Sequence, residues 1–389
     1  MTLPLPATQP ATLAPPVIVA PAPHETSFGI VRGRVADGTV RVVVRVGRTT
    51  AVDVPVFGST FRFELSLPSR DVSIRVTAYD LAGHSASTTV SPVFGLPTKA
   101  YPAPILSQQD TYLARRIRSL VREFPGTAAV FVQDLRTGRG AAWNARARFQ
   151  AASTLKLGIA IEVLRVLGRK PPRGTHLARL MWRMLVYSDN RAANDLEAWL
   201  GGGSVDAGAE RVNATLEALH LRDTHMRGDY IIGTASTTPI PLRVENQPPY
   251  LPGWKHTSAW DLARIHRFLH RASAGRGPLV RLPGRFTGSD GRYMMYVLAH
   301  VLDPGKIDRY VGAQPGVAVL HKAGWILNAR HDSGLVFWPD GGLVVTVMTW
   351  NGVRTGAASD ILAGRVAQIA LRRFSNPPSP STRAWRLPS

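Results

Sequence analysis

The stretch FQAASTLKLGIAIEVLRVL (residues 149–167) decides how the larger part of this chain is read. Its apolar residues recur at Leu155, Ile159, Val163, Val166 and Leu167, the spacing of a helix that buries one face. Ser153 stands where that helix would open, and Lys156 follows three positions later on the same side. A lysine at the start of a greasy helix either snorkels to water or is held beside the serine hydroxyl for chemistry. The pair alone does not choose between these, since a lone serine at a helix start is most often a cap.

Two further stretches change the balance. YSDNRAANDLEAWLGG (residues 187–202) carries Ser188-Asp189-Asn190 between two helical patterns, and LHKAGWILNARHDSGLVFWP (residues 320–339) carries Lys322-Ala323-Gly324 on a strand. Separately these read as a turn and a strand-end charge. Jointly, and in this order, the three resemble the S-x-x-K, S-D-N and K-T-G signature of active-site-serine β-lactamases and penicillin-binding proteins, with Ala323 in the place of the threonine. Lysine is scarce here, yet two of its six copies fall in the two places that signature requires.

The segments AAWNARARFQAASTLK, YSDNRAANDL and KAGWILNARHDSGLVFWPDGGLVV resemble the class A β-lactamase-type serine hydrolases, and the resemblance runs over residues 103–374. It implies an α+β domain, an antiparallel sheet flanked by helices, that acylates Ser153 with a β-lactam or a related amide or ester and needs no cofactor. By the same resemblance Lys156 is the base, Ser188 relays a proton and Lys322 supplies a second positive charge. Asn190, Gly324 and Trp325 line the substrate, and the backbone N–H groups of Ser153 and Trp325 form the oxyanion hole. The chemistry explains these residue types. A serine hydroxyl needs a base within reach, and a lysine becomes one when burial and a neighbouring cation disfavour its charged form.

Three departures shape the expectations. Ala323 stands where the family has a hydroxyl residue that meets a substrate carboxylate, and Arg330 reads either as a replacement cation or as an ordinary surface arginine. No Glu-x-x-x-Asn, the family's deacylating loop motif, occurs between the second and third motifs. Asp229 and Glu245 are candidate deacylation bases by position, and each also reads as a solvated loop acid. Only 35 positions separate Ser153 from Ser188, so a trimmed helical subdomain and a more open cleft are expected.

The 389 residues divide further. Residues 1–26, with seven prolines and no lysine or arginine, read as a disordered leader without a recognisable export signal. Residues 27–97 alternate apolar and polar positions between turn residues, the pattern of an all-β sandwich. FRFELSLP followed by SIRVTAYDLAGHSAS resembles the immunoglobulin-like modules of bacterial surface proteins. A spacer or wall-binding role follows for the module. Residues 98–106 read as a linker, 107–375 as the hydrolase domain and 376–389 as a flexible tail.

Composition bounds the rest. The apolar fraction of 44% fills a sizeable core, and no apolar run is long enough to span a membrane. With no cysteine there are no disulfides and no thiol chemistry. The formal charge of +21 comes mostly from dispersed arginine. That suits a solvated basic surface or an anionic cell-wall polymer as partner, with no motif for specific nucleic-acid binding. The eleven histidines lack ligand spacing apart from His266/His270, which reads as a helix face, so no metal is expected. His331-Asp332 reads as a turn before a strand. The substrate classes that follow are a small β-lactam or a cell-wall peptide, and export to the cell envelope is expected from the resemblance. The alternatives are a penicillin-binding esterase or peptidase with slow deacylation, and a catalytically silent wall-binding protein.

Overall fold

The computed structural model describes residues 13–227, 230, 247–250 and 253–376. The N-terminal unit is built from eight strands: β1 (Val17–Ala20), β2 (Glu25–Ser27), β3 (Ile30–Arg34), β4 (Thr39–Val46), β5 (Thr49–Pro55), β6 (Thr60–Glu64), β7 (Asp71–Asp80) and β8 (Ser85–Gly95). They form a three-stranded sheet, β1-β3-β6, and a five-stranded sheet, β2-β8-β7-β4-β5. Alternation drives the packing, because successive side chains in a strand point to opposite faces. Val42 and Val44 of β4 meet Ile74 and Val76 of β7, and Val31, Phe61 and Leu65 close the same core from the smaller sheet.

Order begins earlier than the proline-rich leader suggests. The expected unstructured segment through residue 26 already contains β1 and β2. Proline is tolerated between and at the ends of short edge strands, which explains why composition misreads this stretch. The unit also packs against the rest of the chain. Glu25 of β2 is fully buried and accepts from Arg292 (2.7 Å), Lys170 (3.0 Å) and Ser289 (2.5 Å), all in the second unit. Phe28 packs edge-on against His270 and Phe337, and Asp71 accepts from Tyr296 (3.2 Å) and His300 (3.1 Å). The expected linker is drawn into the same contact: Ala100 is buried, its carbonyl accepts from His270, and Lys99 pairs with Asp340.

The second unit runs β9 (Gln108–Gln109), α1 (Thr111–Arg122), β10 (Thr127–Asp134), β11 (Arg139–Trp143), β12 (Phe149–Gln150), α2 (Lys156–Leu167), α3 (His176–Val186), α4 (Asn190–Leu200), α5 (Val205–Ala218), β13 (His256–Thr257), α6 (Ala259–Ser273), α7 (Pro278–Arg281), α8 (Gly288–Leu298), β14 (Ala318–Trp325), β15 (Ala329–Trp338), β16 (Gly341–Trp350) and α9 (Ala357–Ser375). Its sheet has the order β14-β15-β16-β10-β11-β9, antiparallel except where β9 meets β11. Both faces are covered, so the strands read as nearly continuous apolar runs. In β16, Val345 and Val347 face α1 and α9, while Val344 and Met348 face the core of α2, α6 and α8. The same two-residue period sorts β14: Val319 belongs to the α9 side and Leu320 to the α2 side.

One histidine expectation changes. His331-Asp332 is no turn but the buried middle of β15, and Asp332 accepts from His321 Nδ1 (2.9 Å) and from the N–H of Ile307 (3.1 Å). His266 and His270 lie on one helix as read, but on its buried side; burial pushes His266 down to about 3 and His270 to about 4.

Candidate active site

Ser153 sits in a 3-10 turn (Ala152–Leu155) that runs straight into α2, so Lys156 is the first residue of that helix. The hydroxyl is not spent as a helix cap, contrary to the commonest reading of such a serine. The residue before it, Ala152, has φ 48°, a left-handed backbone that costs a residue with a side chain about 1–2 kcal/mol. The surroundings impose it. β12 pairs with β13, Ala151 N–H donates to Lys255 O (3.2 Å), and buried His331 Nε2 donates to Gln150 O (2.7 Å).

Ser188 lies in the tight passage from α3 to α4 and has φ 57°, the second such residue at the site. Asp189 caps α4 by accepting from Ala192 N–H (3.2 Å) and pairs with Arg183, which fixes the turn. As a result Ser188 meets two lysines. Lys156 Nζ, fully buried, donates to Ser188 O (2.5 Å) and Asn190 Oδ1 (2.6 Å) and stands 3.3 Å from Ser188 Oγ. Lys322 Nζ, equally buried, donates to Ser188 Oγ (3.0 Å) and Ala323 O (2.8 Å). Among the described residues, Ser153 Oγ is not a hydrogen-bond partner of either amine. Catalytic hydrogen bonds of an unliganded site are often formed only with substrate in place.

Electrostatics separates the two amines. Burial, then the charge of Lys322, lowers Lys156 to about 6; Lys255 adds to this, and Asp189 and Glu197 oppose it. Burial also lowers Lys322, but Asp303 and Asp332 pull the other way and it settles at about 8. Near neutrality Lys156 is therefore mostly an amine and Lys322 mostly an ammonium.

β14 is the free edge of the sheet, and it packs on the Ser153 turn. Gly324 makes that approach possible: a Cβ there would lie 2.7 Å from Ser153 N and 2.8 Å from Thr154 N. Ile326 N–H donates to Ala329 O (2.9 Å), so in the alternating ladder the N–H of Trp325 points off the free edge. The Ser153 turn lies along that edge.

Arg330, read as a substrate cation or an ordinary surface arginine, has its guanidinium 5.8 Å from the ring centre of Trp325, its cross-strand partner. It lies on the face of β15 that carries Val336 and Trp338, on the α9 side, and it grips Asp360 of α9 through Nε (2.6 Å) and Nη2 (2.8 Å). The two-residue period sets that face. Asp229 and Glu245 lie outside the described residues. Two residues that the sequence reading missed stand at the site instead. Tyr230, 5% exposed, is held through its backbone by Asn194, which accepts from its N–H (2.7 Å) and donates to its carbonyl (3.0 Å). Its ring centroid is 4.8 Å from Lys156 Nζ and 4.5 Å from Lys255 Nζ. The scarcity of lysine was the available signal, because three of the six converge here.

The description "Beta-lactamase enzyme family" matches residues 112–171 and 167–374. Among solved structures the chain is similar to PBP-A at 20% identity, with 72% of this chain and 99% of that one covered and a TM-score of 0.54. It is similar to the β-lactamase from Sphaerobacter thermophilus DSM 20745 at 21% identity (69% and 100% covered, TM-score 0.53). The class A β-lactamase from Mycobacterium abscessus follows at 20% (68% and 100% covered, TM-score 0.52). At such identities the likeness speaks for the fold. No curated protein matches the chain.

Proposed function

Because the chain belongs to the β-lactamase enzyme family, we propose that it is an active-site-serine hydrolase that acylates Ser153 with β-lactams or related amides and esters. The observation that carries this reading is the bridge in which two buried lysines of unequal basicity flank one hydroxyl, Ser188 Oγ. Lys156, as the free amine, takes the proton from Ser153 Oγ as that oxygen attacks the carbonyl carbon. The oxyanion forms against the N–H groups of Ser153 and Trp325, each donor worth about 3 kcal/mol in such a hole. As the C–N bond breaks, a proton passes through Ser188 to the leaving nitrogen, and the acyl group remains on Ser153. Asn190, whose oxygen already orients Lys156, and the Gly324–Trp325 edge position the acyl side.

Water then releases the acyl group. Slow release, the behaviour of a penicillin-binding protein, is the alternative outcome; burial raises the hydroxyl of Tyr230 beside Lys156, so that residue supplies no base. A PBP-A mutant has been captured as an acyl-enzyme with penicillin G, the adduct chemistry assigned here to Ser153. The all-β unit, read as immunoglobulin-like, and the basic surface suit a protein exported to the cell envelope that meets wall peptide and anionic wall polymer.

Incubating the protein with a chromogenic cephalosporin and a fluorescent penicillin, followed by peptide mass spectrometry, tests the reading. A lasting adduct on Ser153 means penicillin binding, and a rapid colour change means β-lactamase. Neither signal, together with no esterase activity, would end the proposal.

A further inference from the structure

Lys255 lies outside the residues that carry the reading above, yet the fold delivers it to them. Its carbonyl is bonded to the backbone of Ala151, two residues before Ser153, and β13 begins at the next position. Its Nζ and that of Lys156 both lie within 5 Å of the centre of the Tyr230 ring. The two nitrogens are therefore less than about 10 Å apart, within one Debye length of physiological saline or close to it. They share a buried aromatic surface, where such a field is screened little. Asn194 holds the backbone of Tyr230 through its N–H and its carbonyl.

Resting on the reading of Ser153 as nucleophile, we propose that Lys255 is a positioning residue for the reaction: its positive charge beside the Tyr230 ring keeps Lys156 free of a proton and so able to take one from Ser153. The charges facing Lys156 come from three directions. Lys322 arrives from β14, Asp189 and Glu197 from the start and body of α4, and Lys255 from the segment leading into β13. Among the described residues two cations oppose two carboxylates. Removing one cation tips the balance toward a protonated Lys156, and the loss is largest at low pH. The step consumes nothing beyond the substrate: one proton moves from oxygen to nitrogen, one O–C bond forms and one C–N bond breaks.

The test is the pH dependence of acylation by a fluorescent penicillin, measured as the rate at saturation and the apparent affinity separately. Full-length wild type, Lys255→Met, Lys255→Gln and Lys255→Arg are compared, with circular dichroism confirming the fold. In the two neutral variants the acid limb moves up by about one pH unit, so the saturated rate falls roughly fivefold at pH 6 and nearly tenfold at pH 5, and the gap closes as pH rises. Arginine, which keeps the charge, restores the wild-type limb. A loss of equal size at every pH would make Lys255 merely structural. A weakened affinity with an unmoved limb would make it a substrate contact, and either result overturns the proposal. If wild-type Ser153 takes no label at any pH, the underlying reading fails first, and that outcome is distinct from both.

Discussion

Lys156 and Lys322 differ in what surrounds them, and the difference divides their work. Both are fully buried, but Asp303 and Asp332 support the charge of Lys322, while Lys322 itself opposes that of Lys156. Acylation needs the first as an amine and the second as an ammonium. The second-order acylation rate should therefore be bell-shaped, falling below pH about 6 as Lys156 protonates and above pH about 8 as Lys322 loses its proton. A stopped-flow profile with a single limb near pH 10 would contradict this division. The cluster of Lys156, Ser188, Asn190 and Lys322 was legible in the sequence because each sits in a three- or four-letter motif whose spacing is local. Arg330 was not, because its partner Asp360 lies 30 positions on, and only the register of β15 shows which face it serves. Tyr230 and Lys255 sit in a stretch without periodicity, where no local pattern places a side chain.

At the scale of elements, the approach of β14 to the Ser153 turn is the least forgiving contact. A side chain at position 324 meets backbone nitrogen rather than a flexible group, so the strand has to move. Gly324→Val should leave the fold cooperative but cut acylation about 100-fold, the scale of loss for a misplacement of about 1 Å. Unchanged labelling kinetics would show that the edge of β14 takes no part. Periodicity places α2, the helices on either side of Ser188 and the strand of Lys322, but α5 and α8 are not read from it. Two readings failed for physical reasons. The Ser153 turn is 3-10 rather than the start of an α-helix, because β12 and β13 hold the chain just ahead of it. The strands β1 and β2 are too short and too rich in proline nearby to stand out, and they gain order only by pairing with β3 and β8.

For the whole molecule, the contact that matters most is the buried ion pair of Glu25 with the second unit. Burial works against the charge of Glu25, but Arg292 and Lys170 outweigh it and hold the carboxylate below its ordinary range. This contribution to stability is present above pH 4.5 and is lost as the pH falls through the lower folded value. Glu25→Ala leaves two cations facing a buried gap, and about 3–5 kcal/mol of stability should disappear in urea unfolding. Since Phe28 and Ala100 belong to the core of the second unit, one shared transition is expected, moved to lower denaturant. Two separate transitions in the wild type would instead make the all-β unit an independent spacer. None of this was readable in advance, as Glu25 lies 145 positions from Lys170 and 267 from Arg292.

The most direct test replaces the amine that activates the nucleophile. Lys156 is neutral in the fold but charged in the unfolded chain, so its burial costs stability below pH ~10.4, increasingly down to about 6. Lys156→Met should therefore fold at least about 1 kcal/mol more stably at pH 7, which removes misfolding as an explanation. Intact-mass measurement after exposure to benzylpenicillin should show an adduct on wild-type Ser153 and none on this variant. Labelling of Lys156→Met at the wild-type rate would contradict the account.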